Sequence, residues 1–191
     1  MIRDRNINYK YQNLWIGAQA WDKNLLFVDA GDAGELLTEV QTSGIMGWQF
    51  DGGDDSLYHT LATPTHIDWD NSVFYRIVYA VDTASDLTET FSVSASGFSF
   101  GALPATTPPT AFVTVSGVPD SAETVVATAW GKADSSTTDG ITGTSDMLRL
   151  YVTNTTEGDA QQAYMVGLEL RFLPKLTDGP QTNDQTDPTD A

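Results

Sequence analysis

Cysteine is absent from this 191-residue chain, which removes disulfides and thiolate metal sites from the means by which the fold can be held together. Basic residues are scarce: nine Lys and Arg stand against 26 Asp and Glu, for a formal net charge of -17. A chain this acidic has few cations with which to neutralise phosphates, so neither nucleic acid nor anionic membrane is an expected partner. No apolar run is long enough to span a bilayer. The charged opening, residues 1–6, leads into alternating Tyr, Lys and Gln instead of an apolar leader segment, so no secretory signal is expected. Also missing is any long segment with a 3.6-residue apolar period, which argues against helices.

What the chain has in quantity is apolar, aromatic and uncharged polar residues. Hydrophobic residues make up 40% and charged residues only 18%, enough to bury a core while leaving Ser, Thr, Asn, Gln and Gly to cover much of the surface. Ile7, Tyr9 and Tyr11 alternate with Asn8, Lys10 and Gln12 before Leu14, Trp15 and Ile16, the period of a half-buried strand. Short apolar runs follow at 25–28, 36–41, 45–50 and 57–61, separated by Gly- and Asp-rich clusters at 29–34 and 51–56 that supply turn conformations. Residues 73–81 are apolar on both faces apart from Arg76, as in the middle of a packed sheet. Further strands are expected at 91–100, 111–115, 125–130, 147–152 and 164–172, the last with Tyr164, Val166, Leu168, Leu170 and Phe172 on one face.

Many short strands without helices imply an all-β antiparallel sandwich of jelly-roll type, which leaves few open sheet edges. The expected organisation is an N-terminal arm and first strand over 1–24, the sandwich over 25–174, and a disordered acidic tail over 175–191, where no apolar residue after Leu176 is larger than alanine.

Candidate chemistry centres on His66, Ile67, Asp68, Trp69 and Asp70. A His-x-Asp pair in a β-barrel is half of an iron-binding facial triad, yet His59, the only other histidine, lies upstream inside a strand pattern and leaves the distal ligand missing. Asp68 and Asp70 lack the basic or Gly-rich cradle of a nucleotide-sugar site, so a turn entering the next strand is the better reading. The 51–55 cluster lacks EF-hand spacing, and no Gly-x-Ser-x-Gly elbow accompanies the serines near Gly97. No catalytic residue, metal or cofactor is expected. Asn154, Thr155 and Thr156 match a glycosylation sequon but read as a polar turn. Trp15, Trp21 and Trp48 are candidates for a sugar-stacking platform, because pyranose faces pack on indole. Trp21, Trp48, Asp68 and Asp70 are thus the expected ligand or partner contacts.

The segments MIRDRNINYKYQNLWIGAQAW, PTHIDWDNSVFYRIVYAVD and TAWGKADSSTTDGITGTSDMLRLYVTNTTEGDAQQAYMVGLELRF together resemble small jelly-roll structural proteins of tailed bacterial and archaeal viruses. The matching positions are Pro64, Asp68 and Asp70 before a long strand, then Trp130, Asp146, Asp159 and the strand ending at Phe172. The resemblance implies a capsid decoration (cement) protein on the virion exterior, made in the host cytoplasm and bound to the major capsid protein. The alternatives are a carbohydrate- or receptor-binding knob of a head or tail fibre and a small single-jelly-roll major capsid protein. The absence of a fibre stalk favours a protein lying directly on the shell. The double-sided apolar strand at 73–81 further implies a homo-oligomer, a trimer in the first instance, with Phe74 and Val78 or else Tyr75 and Tyr79 at the subunit contact.

Overall fold

The computed structural model describes residues 11–23, 36–37, 46–50, 56–67, 73–81, 88–102, 113–118, 124–133, 146–156 and 163–174. Two antiparallel sheets face one another, in the jelly-roll-type sandwich expected from the strand pattern. The first sheet is built on β6 (Val73–Val81) and β12 (Ala163–Phe172), which pair along most of their length. On its far edge β12 pairs first with β4 (Gly47–Phe50) and then with β1 (Gln12–Gly17), while β3 (Leu36–Leu37) extends the sheet beyond β4. On the other side β6 pairs with β9 (Val126–Ala127) and β10 (Gly131–Ala133). The second sheet runs β2 (Asp22–Lys23), β5 (Ser56–Ala62), β11 (Met147–Asn154), β7 (Glu89–Phe98) and β8 (Val113–Gly117). A single turn of 3-10 helix, Ala18–Ala20, links β1 to β2 and so joins the two sheets.

The core lies between the sheets. Val73, Tyr75, Ile77, Tyr79 and Val81 point into it from β6, opposite Leu148, Leu150 and Val152 of β11 and Phe91, Val93 and Ala95 of β7. Period-two alternation places those residues on one face of each strand. The break between β9 and β10 is sealed by Thr128. Its Oγ1 accepts the Ile77 N–H at 3.0 Å and donates to the Ala129 carbonyl, so the ladder loses no hydrogen bond where the edge strand stops.

In β12 a bulge between Met165 and Gly167 shifts the register against β6 and corrects the uninterrupted alternation expected for 164–172. Ala163 and Met165 face the core, as do Leu168, Leu170 and Phe172, but Tyr164 instead joins Ala80 in a separate small cluster. An inserted residue inverts the faces on either side of it. The bulge also marks where β12 exchanges β4 for β1 as its neighbour.

Asn154 is buried, and its Oδ1 accepts the Thr156 N–H at 2.8 Å, an Asx-type turn. Thr156 Oγ1 in turn accepts the Thr90 N–H and donates to the buried Glu89 carboxylate. The sequon is therefore a structural turn, as its residues implied. Asp146 clamps two chain segments: its carbonyl accepts the Thr63 N–H and its carboxylate the Phe100 N–H. The expected acidic tail at 175–191 lies outside the described residues.

Candidate functional site on the outer face of the first sheet

Side chains that alternate away from the core line up in rows across β1, β12, β6 and β10, because directly paired residues share a face. The pairing places Trp15 opposite Glu169 and Glu169 opposite Arg76, with Trp130 immediately before β10 at the end of the row. The adjacent row is Asn13, Arg171, Phe74 and Lys132. On the other side Gly17, Gly167, Val78 and Ala127 form a row of small residues.

The polar members close into a ring. Glu169 accepts from Asn13 Nδ2 at 2.6 Å through one oxygen and from Arg76 Nε at 2.7 Å through the other. Arg76 Nη2 completes an ion pair with that second oxygen at 2.6 Å. Asn13 Oδ1 accepts from Arg171 Nε at 3.0 Å. The two guanidinium groups then meet at Trp130, lying 4.5 Å (Arg76) and 4.4 Å (Arg171) from the ring centroid. Each member is held by two others, so the side chains are fixed before any ligand arrives. Bonding both carboxylate oxygens and stacking both cations makes this ring stronger than a lone exposed ion pair.

Trp15 flanks the ring and is 49% exposed. Its indole lies over the row of small residues: a Cβ added to Gly167 would stand 2.5 Å from Trp15 Cζ2, and one added to Gly17 would stand 3.2 Å from Nε1. Glycine at both places lets a large aromatic ring lie along the sheet instead of projecting into solvent. Beside it opens a pocket of about 220 Å³ lined by Trp15, Gly17, Ala18, Gln19, Met46 and the bulged Val166.

The outer face of the second sheet carries a smaller stack, with Arg149 lying 4.7 Å over the Tyr58 ring. Tyr151 and Ser94 at its middle are buried.

Of the three tryptophans read as a stacking platform, only Trp15 is accessible. Trp21 and Trp48 are 2% and 7% exposed, and their indole N–H groups donate to the carbonyls of Ile16 and Ala18. They pin the crossover between the sheets, and their expected role as ligand or partner contacts is corrected. The physical reason is the indole's mixed character, which suits an apolar core bordered by the carbonyls of a tight turn. Asp68 and Asp70 lie outside the described residues.

The expected subunit contact also changes. Tyr75 and Tyr79 point into the core of their own chain. Phe74 is buried on the outer face, where the Tyr11 ring meets it edge-on at 5.6 Å. Tyr11, just before β1, thus covers part of the second face of β6, and only Val78 of the four is left half-buried. His66 packs against Phe172, and His59 Nδ1 lies 2.6 Å from the Ala20 carbonyl. Among the described residues no three His, Asp or Glu side chains gather as a metal site.

The ring of Asn13, Arg76, Trp130, Glu169 and Arg171 was missed by sequence reasoning. A signal was present: charge is sparse in this chain, yet Arg76, Glu169 and Arg171 interrupt its two most apolar strands.

The chain matches no protein-family model and no curated protein. Among solved structures it is similar to the CBM36-1 domain of a multidomain xylanase from the hindgut metagenome of Trinervitermes trinervoides, with a TM-score of 0.50 and 8% identity over 83% of this chain and 96% of that one. It is also similar to the carbohydrate-binding module CBM36 in complex with calcium and xylotriose (TM-score 0.49, 9% identity, 82% of this chain and 98% of that one). A third is the CBM22-1 xylan-binding domain of Xyn10C from Paenibacillus barcinonensis (0.46, 12%, 88% and 98%). At these identities the likeness is one of fold.

Proposed function

We propose that this chain is a carbohydrate-binding β-sandwich whose ligand lies across the outer face of β1, β12 and β6. The observation that carries the reading is Trp15, half exposed and laid over a glycine floor beside a fixed ring of hydrogen-bonding groups. Pyranose recognition needs those two elements together: an apolar surface for the ring face, and a few fixed polar groups for the hydroxyls. The sandwich fold, shared with the CBM36-1 domain, is compatible with such a role, and the argument for binding comes from the face itself. The activity is binding without chemical conversion of the sugar.

Placement on a virion rests on the sequence resemblance to viral jelly-roll proteins. A receptor-binding knob joins the two readings, with this face meeting glycans. Capsid cementing draws its support from the resemblance alone.

The test is affinity electrophoresis against a panel of soluble plant, bacterial and host-surface polysaccharides, with Trp15→Ala alongside the parent chain. The parent should be retarded by at least one polymer, and Trp15→Ala should weaken that binding by about ten-fold or more, since an aromatic anchor of this kind contributes ~2 kcal/mol. Its stability should fall by no more than ~1 kcal/mol because half the side chain is already in water. Free migration of the parent chain on every polymer sinks the proposal.

A further inference from the structure

We infer that the face selects a saccharide carrying an isolated carboxylate, a uronic acid set among neutral sugars; this rests on the carbohydrate-binding reading. The two guanidinium groups of the ring differ in one respect. Arg76 is neutralised by Glu169, whereas Arg171 forms no ion pair with any described residue. Its one side-chain hydrogen bond, from Nε, goes to the uncharged amide oxygen of Asn13. Trp130 covers a face of the guanidinium and Asn13 holds its Nε edge, so the Nη pair is the part left to meet a ligand. A planar, pre-aligned pair of N–H donors matches the two oxygens of a carboxylate.

Position agrees with chemistry. Trp15 pairs with Glu169, so Arg171 is its diagonal neighbour across β1 and β12, about 7–8 Å away between backbones. A pyranose stacked on Trp15 thus has its own or its neighbour's substituent within reach of Arg171.

The net charge sets how much acid the ligand can carry. With a formal charge of -17, the chain as a whole repels a polyanion, and screening at physiological salt confines the attraction to about 8 Å around the guanidinium. One carboxylate per several neutral residues fits that field. A carboxylate or sulfate on every sugar does not.

The test compares glucuronoxylan with the same polymer after chemical reduction of its carboxyl groups, by isothermal titration calorimetry on the full chain. Polygalacturonate and heparin serve as dense carboxylate and dense sulfate probes. The parent should bind native glucuronoxylan about ten-fold more tightly than the reduced polymer, the factor that ~1.4 kcal/mol of charge-assisted hydrogen bonding supplies. Arg171→Gln should bind both forms equally while staying folded, its melting temperature lowered by no more than a few degrees for the stacking and hydrogen bond it loses, and both dense polyanions should bind more weakly than glucuronoxylan. Equal binding of native and reduced polymer by the parent overturns this inference and leaves the saccharide reading standing. Tighter binding of either polyanion overturns the sparse-charge argument. Absence of binding to every saccharide, including the neutral polymers of the wider panel, overturns both readings.

Discussion

Adding a single methyl group at Gly167 tests the floor beneath Trp15 most directly. In Gly167→Ala the new Cβ would stand 2.5 and 2.6 Å from Trp15 Cζ2 and Cη2 and 2.7 Å from the Ile16 carbonyl oxygen. Carbon atoms pack at about 3.5–4.0 Å, so the indole has to retreat by roughly 1 Å. Rotating Trp15 relieves two of those contacts but not the third, which is to backbone. Strand β1 must therefore shift against β12 at its Gly17–Gly167 pair, and overpacking of this kind costs about 1–3 kcal/mol. For a chain of this size that cost lowers the melting temperature by roughly 2–10 °C, read by calorimetry. Saccharide binding should fall with it, because Trp15 no longer lies flat. Gly17→Ala is the internal control: its nearest neighbour is Trp15 Nε1 at 3.2 Å, followed by contacts at 3.9 and 4.0 Å, which a small tilt absorbs. Placing Gly167→Ala in a Trp15→Ala background should reduce the cost without abolishing it, and the difference is the coupling between the two residues. A melting temperature for Gly167→Ala equal to that of the parent, or equal losses at the two glycines, refutes this account of the floor.

Tyr79→Phe should stabilise the chain by about 1 kcal/mol, because the Tyr79 hydroxyl is buried with no hydrogen-bond partner among the described residues. The same variant should flatten the alkaline limb of stability: burial first, and the Glu89 carboxylate second, push the Tyr79 pKa up from its ordinary 10.0. The unfolded chain therefore loses that proton before the folded one does, so Tyr79's contribution is intact below about pH 10 and lost as pH rises beyond it; parallel alkaline losses in melts of parent and variant would contradict this. Glu169→Gln should cost about 1 kcal/mol by breaking a partly buried pair with Arg76 while tightening binding to glucuronoxylan, since a second guanidinium is left without a counter-charge. Weaker binding of that acidic polymer by Glu169→Gln would mean the carboxylate contacts sugar directly.

Much of the fold was legible because its strands obey period two and are cut by turn residues. Residues 73–81 were read as a strand with the bounds that β6 has, and the expected strands at 57–61, 147–152 and 164–172 fall inside β5, β11 and β12. Local pattern does not show register. The bulge at Met165–Gly167 adds one residue without a Pro or a turn cluster to announce it, and that residue sends Tyr164 to the outside and Met165 to the core. Nor does an apolar strand reveal what covers its second face. For Phe74 it is Tyr11, 63 positions earlier by the numbering, where the pattern alone implied a second subunit.

The candidate site was harder to read because its meaning lies in pairing. Trp15, Trp21 and Trp48 look alike as letters in aromatic-rich segments. Trp15 sits between two inward residues of a regular strand, Leu14 and Ile16, both of which pack toward the core, so alternation alone turns it outward. Trp21 follows a turn of 3-10 helix and Trp48 lies on a strand buried along most of its length, places where period two does not decide exposure. Arg76, Glu169 and Arg171 were each visible as charges in apolar strands. Their conversion into a ring needs β6 beside β12 and β12 beside β1 in one register, with Trp130 delivered by the edge strand. A one-residue slip of β1 along β12 would turn Trp15 inward and Asn13 with it, removing the stacking surface and the amide that orients Arg171 together. The glycines at 17 and 167 resist that slip, because only in the observed register does the indole meet two residues without side chains. Steric fit at the floor and hydrogen bonding in the ring therefore specify the same alignment, and the face is assembled by the closing of the sheet.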